Sequence, residues 1–196
     1  MDSSIILIGP MSAGKSTIAQ LLAEKLGIAR YELDELRWDY YDEIGYDHEI
    51  ASGIGKEKGM LGIIEYGKPY EAHAVERAVA EYKNCILDFG AGHSVFEDQA
   101  LFTRVEQALS HVENVILLLP SPRLDESVAI VNERFSSLLE QEVGEIDPEL
   151  LLLNEHFVRH LSNHKLAKWV VYTEGHTPEE TCAQVLDEIN ISPDGT

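Results

Sequence analysis

The run Ile5-Ile6-Leu7-Ile8, followed at once by Gly9-Pro10-Met11-Ser12-Ala13-Gly14-Lys15-Ser16, constrains this chain more than any other feature. Four apolar residues stopped by Gly-Pro read as a strand buried on both faces. From Lys15 to Leu26 the residues Ile18, Leu21, Leu22, Ala23 and Leu26 recur at helical spacing, and Gly27 closes the pattern as a cap. Between strand and helix stands a complete G-x-x-x-x-G-K-[ST] pattern. Its glycines let the backbone curl so that N–H groups point inward at phosphate oxygens, and the helix N-terminus adds partial positive charge on the same anion. The expected nucleotide-binding set is Gly9, Met11, Ser12, Ala13, Gly14, Lys15, Ser16 and Thr17. Lys15 would reach the β- and γ-phosphates, which makes it catalytic, and the Ser16 hydroxyl would ligate Mg²⁺.

The rest of the chain keeps that rhythm. Short apolar runs at 28–33, 85–89, 115–119 and 169–173 read as strands. Helical patterns lie among them at 72–82, 95–109, 125–140, 149–161 and 178–189, with Ser94 available as the N-cap of the second. Strand alternating with helix predicts an α/β fold: a P-loop NTPase three-layer sandwich whose five-stranded parallel sheet carries helices on both faces. A chain of 196 residues suits a single domain over 1–196. Residues 35–70 interrupt the rhythm and are rich in Tyr, Gly and acids. They read as a helical substrate-binding insert over the carboxyl edge of the sheet, where ligands of such folds bind. The tail at 192–196 is expected to fray.

Acids stand where strands end. Glu32 and Asp34 are two apart, so on a strand they point the same way. One carboxylate there can hold hydrated magnesium while the other orients or deprotonates an acceptor hydroxyl. Glu32 is the metal candidate, and Asp34 the catalytic and acceptor-binding one. Ile86-Leu87-Asp88-Phe89-Gly90-Ala91-Gly92 repeats the logic. Asp88 is placed as a further acid of the magnesium shell. Gly90, Ala91 and Gly92 would let a substrate approach the backbone closely.

Charge narrows the partners. Lys plus Arg number 15 and Asp plus Glu 35, a formal net charge of −20. Such a surface repels nucleic-acid phosphates and anionic membranes, which disfavours a broad nucleic-acid face and leaves room for a local basic site. No stretch reaches the roughly 18 apolar residues of a membrane span, and no signal peptide is expected. Cys85 and Cys182 are too few for a disulfide framework or a four-thiolate zinc site, a pattern that suits a reducing cytoplasm. A cytoplasmic monomer or dimer is expected.

The loop, the acid-x-acid and the small-residue turn resemble the shikimate kinase-like family of small P-loop kinases, in the nucleoside monophosphate kinase group. The resemblance is strongest over 5–34 and 85–94. It implies ATP and Mg²⁺ as cofactors and phosphoryl transfer to a hydroxyl of a small molecule. It implies a mobile lid, here 122–147, whose arginine meets the transferred phosphoryl. Arg134 in Glu133-Arg134-Phe135 is the match, with Arg123 next, on the nucleotide. It also implies a later substrate-binding arginine, here Arg159. The family's adenine loop falls on Gly175-His176-Thr177-Pro178, so Thr177 and Pro178 join the nucleotide contacts.

Where that family reads Phe-Arg ahead of the third strand, this chain reads Tyr70-Glu71, and the lid's Arg-Pro reads Arg134-Phe135. A glutamate repels the carboxylate that such an arginine grips. Asp34, Glu71, Asp39, Asp42 and Glu43 would instead make a negative pocket, interleaved with Trp38, Tyr40, Tyr41 and Tyr46. That suits a cationic or sugar-like acceptor stacking on the rings. Trp38 and Glu71 therefore join the substrate candidates, and shikimate specificity is not expected. The rival readings are a P-loop ATPase or nucleotide-gated switch without an acceptor, and an interaction protein with a relic loop. His156, His160 and His164 have metal-ligand spacing on a helix but read as an ordinary polar face.

Overall fold

The computed structural model describes residues 3–142 and 147–189; positions 143–146 of the expected lid and the tail at 192–196 lie outside the described residues. Strands β1 (Ile5–Ile8), β2 (Arg30–Glu32), β3 (Ile86–Asp88), β4 (Asn114–Leu119) and β5 (Trp169–Tyr172) form one parallel sheet in the order β2-β3-β1-β4-β5. The helices are α1 (Lys15–Leu26), α2 (Leu33–Glu43), α3 (His48–Glu81), α4 (Gln99–Leu109), α5 (Leu124–Glu142), α6 (Pro148–Arg159), α7 (Leu161–Leu166) and α8 (Pro178–Glu188). None of the described helices is long and apolar enough to cross a membrane.

Strand alternation divides the core in two. Ile6 and Ile8 of β1 enter one cluster with Leu87, Leu117 and residues of α3 and α4. Ile5 and Leu7 enter the other with Ile86, Ile116 and residues of α1 and α8. All four β1 side chains are fully buried. Each contributes about 1.5–3 kcal/mol by leaving water, so the apolar run itself holds the central strand in place. Cys85 and Cys182 are core residues, one in each cluster.

Several elements depart from the sequence reading. The helix expected at 95–109 begins only at Gln99, because the Asp98 carboxylate, not Ser94, accepts the first amides, from Ala100 and Leu101. Ser94 lies in a 3₁₀ turn, Ala91–Ser94, and its hydroxyl donates to Asn163. The helix expected at 149–161 breaks at His160, whose ring accepts the Ser162 amide and starts α7. His164 therefore sits on a different helix from His156. The insert at 35–70 is helical, comprising most of α2 and the first part of α3, and α3 continues through the expected 72–82 helix. A single bend interrupts α3, at Gly59, whose φ of 70° is left-handed.

Candidate active site

The loop after β1 has the conformation its glycines permit. At Gly9 φ is 141°, and a Cβ there would stand 2.6 Å from the Leu118 carbonyl oxygen, so only glycine fits. Gly14 opens α1 at φ 92°, and no side chain caps that helix. Its first amides remain available to an anion. The Lys15 ammonium donates to the carbonyls of Gly9 at 3.0 Å and Pro10 at 2.8 Å. Burial pulls its pKa below the usual lysine range, while Asp88 and Asp34 oppose that shift.

Two adjoining cavities meet at this loop. One, of about 660 Å³, is walled by residues 12–17 and by Glu133, Arg134, Ser137 and Leu138 of α5. The other, of about 280 Å³, joins Lys15 and Ser16 to Glu32, Asp34, Asp88, Gly90 and Ala91, with Phe135 and Leu139 across from them. The first can receive a polyphosphate beside Arg134. The second can receive a small hydroxylated molecule beside Asp34. Because Lys15 and Ser16 line both, an acceptor and a terminal phosphoryl group can meet there.

Cross-strand register sets Glu32 beside Asp88. Arg30, two residues before Glu32 on the same face, reaches both: its Nη2 lies 2.8 Å from Glu32 and 3.0 Å from Asp88. The two acids thus converge on one positive charge. Asp34 departs from the strand reading, since β2 stops at Glu32 and Leu33, fully buried, begins α2. Asp34 lies in the first helical turn, half-exposed, 3.0 Å from Arg37. The small-residue turn is filled as well. A Cβ at Gly90 would collide with the Asp34 carboxylate, and one at Gly92 would stand 2.6 Å from Glu71. The two glycines seat carboxylates from α2 and α3, and Gly90 and Ala91 also line the smaller cavity.

The expected negative pocket does not form. Glu71 pairs at 2.8 Å with Lys68, one turn earlier on α3; Lys68 is buried and Glu71 largely so. Lys68 also donates to the Gly92 carbonyl at 3.0 Å and lies over the rings of Phe96 and Phe157. Glu43 binds His73 and Arg77, while Asp39 and Asp42 face solvent. Trp38, Tyr41, Tyr46 and Tyr70 pack on one another, with ring centroids from 4.9 to 5.8 Å apart, and Tyr40 is buried. Those rings close the junction of α2 and α3 and line neither cavity. The objection to an anionic acceptor therefore loses its ground, because a buried cation stands beside the acid that was to repel it.

Other candidate residues bind partners within the protein. Arg159 is held on the surface by Asp125 at 2.6 Å and Glu155 at 2.7 Å, away from both cavities. Arg123 pairs with Glu126. Thr177 and Glu180 form a reciprocal cap on α8, with Pro178 in its first turn. His156 binds Glu97 at 2.7 Å, with the His160 ring 5.1 Å away. That trio is compact, but the His160 nitrogen that accepts the Ser162 amide is already engaged.

Sequence reasoning missed Arg30, Lys68 and Asn154. Asn154 is fully buried on α6, accepts the Met11 amide at 2.9 Å and donates to Asn132 of α5 at 3.1 Å. It ties the phosphate loop to both helices that face it. A lone amide directly after Leu150-Leu151-Leu152-Leu153 was the available signal. Lys68 was legible as a helical i, i+3 partner of Glu71.

A parallel five-stranded sheet with a phosphate-binding loop after its central strand defines a P-loop α/β sandwich. Within that class the chain resembles the shikimate kinases. It is 28% identical over 192 residues to the shikimate kinase of Streptomyces coelicolor, covering 95% of each chain. The solved shikimate kinase from Acinetobacter baumannii in complex with shikimate superposes with a TM-score of 0.65 at 20% identity, over 97% of this chain and 94% of that one. A sugar kinase from Janibacter sp. HTCC2649 gives a TM-score of 0.61 at 14% identity, over 99% and 98%. No family model matches the chain.

Proposed function

We propose that this protein transfers the γ-phosphoryl group of Mg-ATP to a hydroxyl of a small, sugar-like molecule. The observation that carries the reading is that Lys15 and Ser16 share one cavity with Asp34. The loop and the start of α1 hold the phosphates. Lys15 turns from the loop carbonyls to the γ-phosphoryl, and Arg134 meets the same group from the opposite wall. Asp34 accepts the acceptor's proton. The whole chain is then one kinase domain, with 35–70 as the acceptor-side insert and 122–147 as the lid.

The donor set fits magnesium: Ser16, Glu32 and Asp88 line one cavity and offer hard oxygens, where the Arg30 guanidinium now holds the two acids. Those residues would hold the ion, which would supply neutralisation of charge on the phosphates. Lys68 and Arg37 balance Glu71 and Asp34, which favours a neutral or anionic acceptor over a cationic one.

The test is ATP consumption with saturating Mg²⁺ and millimolar shikimate, D-gluconate or D-glucose. The first two carry a carboxylate as well as hydroxyls; the third carries hydroxyls alone. Strong stimulation by one of them is the expected result. ATP hydrolysis that none of them stimulates would favour an ATPase or switch.

A further inference from the structure

We propose that His93 is a further catalytic residue, whose imidazole hydrogen-bonds the acceptor hydroxyl while Asp34 takes its proton. The proposal rests on the kinase reading above. His93 sits in the 3₁₀ turn directly after β3, with its ring 1% exposed. Neither ring nitrogen has a hydrogen-bond partner. Its Nδ1 stands 3.9 Å from the Asp34 carboxylate. That is too far for a hydrogen bond and near enough for one oxygen atom to reach both groups.

An unpartnered buried polar group costs about 1–3 kcal/mol, a cost that Leu or Phe at the same position would avoid. Packing therefore does not account for a histidine here. The charged groups that face the ring are Asp34, Glu71, Arg37 and Lys68. Burial pulls the imidazole below its ordinary pKa, while Glu71 and Asp34 oppose that shift. With a carboxylate facing Nδ1, the proton belongs on that nitrogen.

The step balances. The acceptor oxygen accepts the His93 N–H and donates its own proton to Asp34. Its remaining lone pair attacks the γ-phosphorus, the bond to the ADP oxygen breaks, and Asp34 holds the released proton. Asp34 lines the acceptor cavity and His93 lies behind it, so the acceptor reaches the ring where the half-exposed Asp34 side chain gives way.

The experiment compares wild type with His93→Leu and His93→Gln. ATP affinity is read with a fluorescent ATP analogue and stability by thermal melting. Turnover is measured with shikimate, D-gluconate or D-glucose, using whichever stimulates the wild type most. The Leu variant should keep ATP affinity, melt at the same or a higher temperature, and lose about tenfold or more in turnover. The Gln variant, which keeps a donor, should recover part of that loss. Turnover of the Leu variant within about twofold of wild type, or a loss matching only its loss of folded protein, overturns the proposal and leaves the kinase reading standing. A wild type whose ATP turnover none of the three stimulates overturns both.

Discussion

Truncating Glu71 tests whether this acid belongs to the fold or to an acceptor. Its side chain is 12% exposed and that of Lys68 8%, with 2.8 Å between carboxylate and ammonium. Glu71→Ala leaves the ammonium buried with the Gly92 carbonyl and two aromatic faces for company. Removing one partner of a buried pair costs about 3–5 kcal/mol, and the contacts that remain place this case near 3. For a chain of this length each kcal/mol lowers the melting temperature by about 2–4 °C, so the expected loss is about 6–12 °C. Urea titration followed by circular dichroism reads the same quantity as a shifted midpoint at constant slope. The double variant Lys68→Met, Glu71→Leu removes both charges at similar volume and should restore stability to wild type or above. A Glu71→Ala cost under about 1 kcal/mol would mean that water screens the pair as it does at a surface, and would refute this reasoning.

Lys15→Met should lower ATP turnover by orders of magnitude, because the charge that follows the γ-phosphoryl is lost; unchanged turnover in a coupled assay would remove the kinase reading. The folded chain holds the Lys15 proton less tightly than the unfolded chain, so this group makes wild-type stability rise with pH in the alkaline range that ends at 10.5. Denaturant titrations across that range should show a smaller rise in Lys15→Met, and an unchanged one would contradict the burial argument. Arg134→Ala should lower kcat far more than it raises the KM for ATP, since the arginine acts on the transferred group. Steady-state kinetics with a normal kcat would take Arg134 out of the chemistry.

What could be read from the chain alone was what repeats or closes locally. The apolar runs and the Gly9 to Ser16 motif carry their own spacing, and each needs only neighbours in sequence to declare strand, loop or helix. The parallel sheet followed from their order. Element ends were less legible, because caps compete: Asp98 displaced Ser94, and His160 cut one expected helix into two. Charge was read wrongly where it was counted without partners. Five acids near the insert suggested a negative pocket, yet Lys68, Arg37 and Arg77 balance three of them. The tertiary fold alone decided that Arg30 would bridge Glu32 to Asp88 across two strands, and that Asn154 would hold Met11 from 143 residues away. It also decided that His93 would be buried facing Asp34. The reason is physical. Periodicity fixes which face of an element is apolar, whereas the partner of a buried polar group depends on which elements pack against that face, and the cost of leaving it unpaired is felt only once they do.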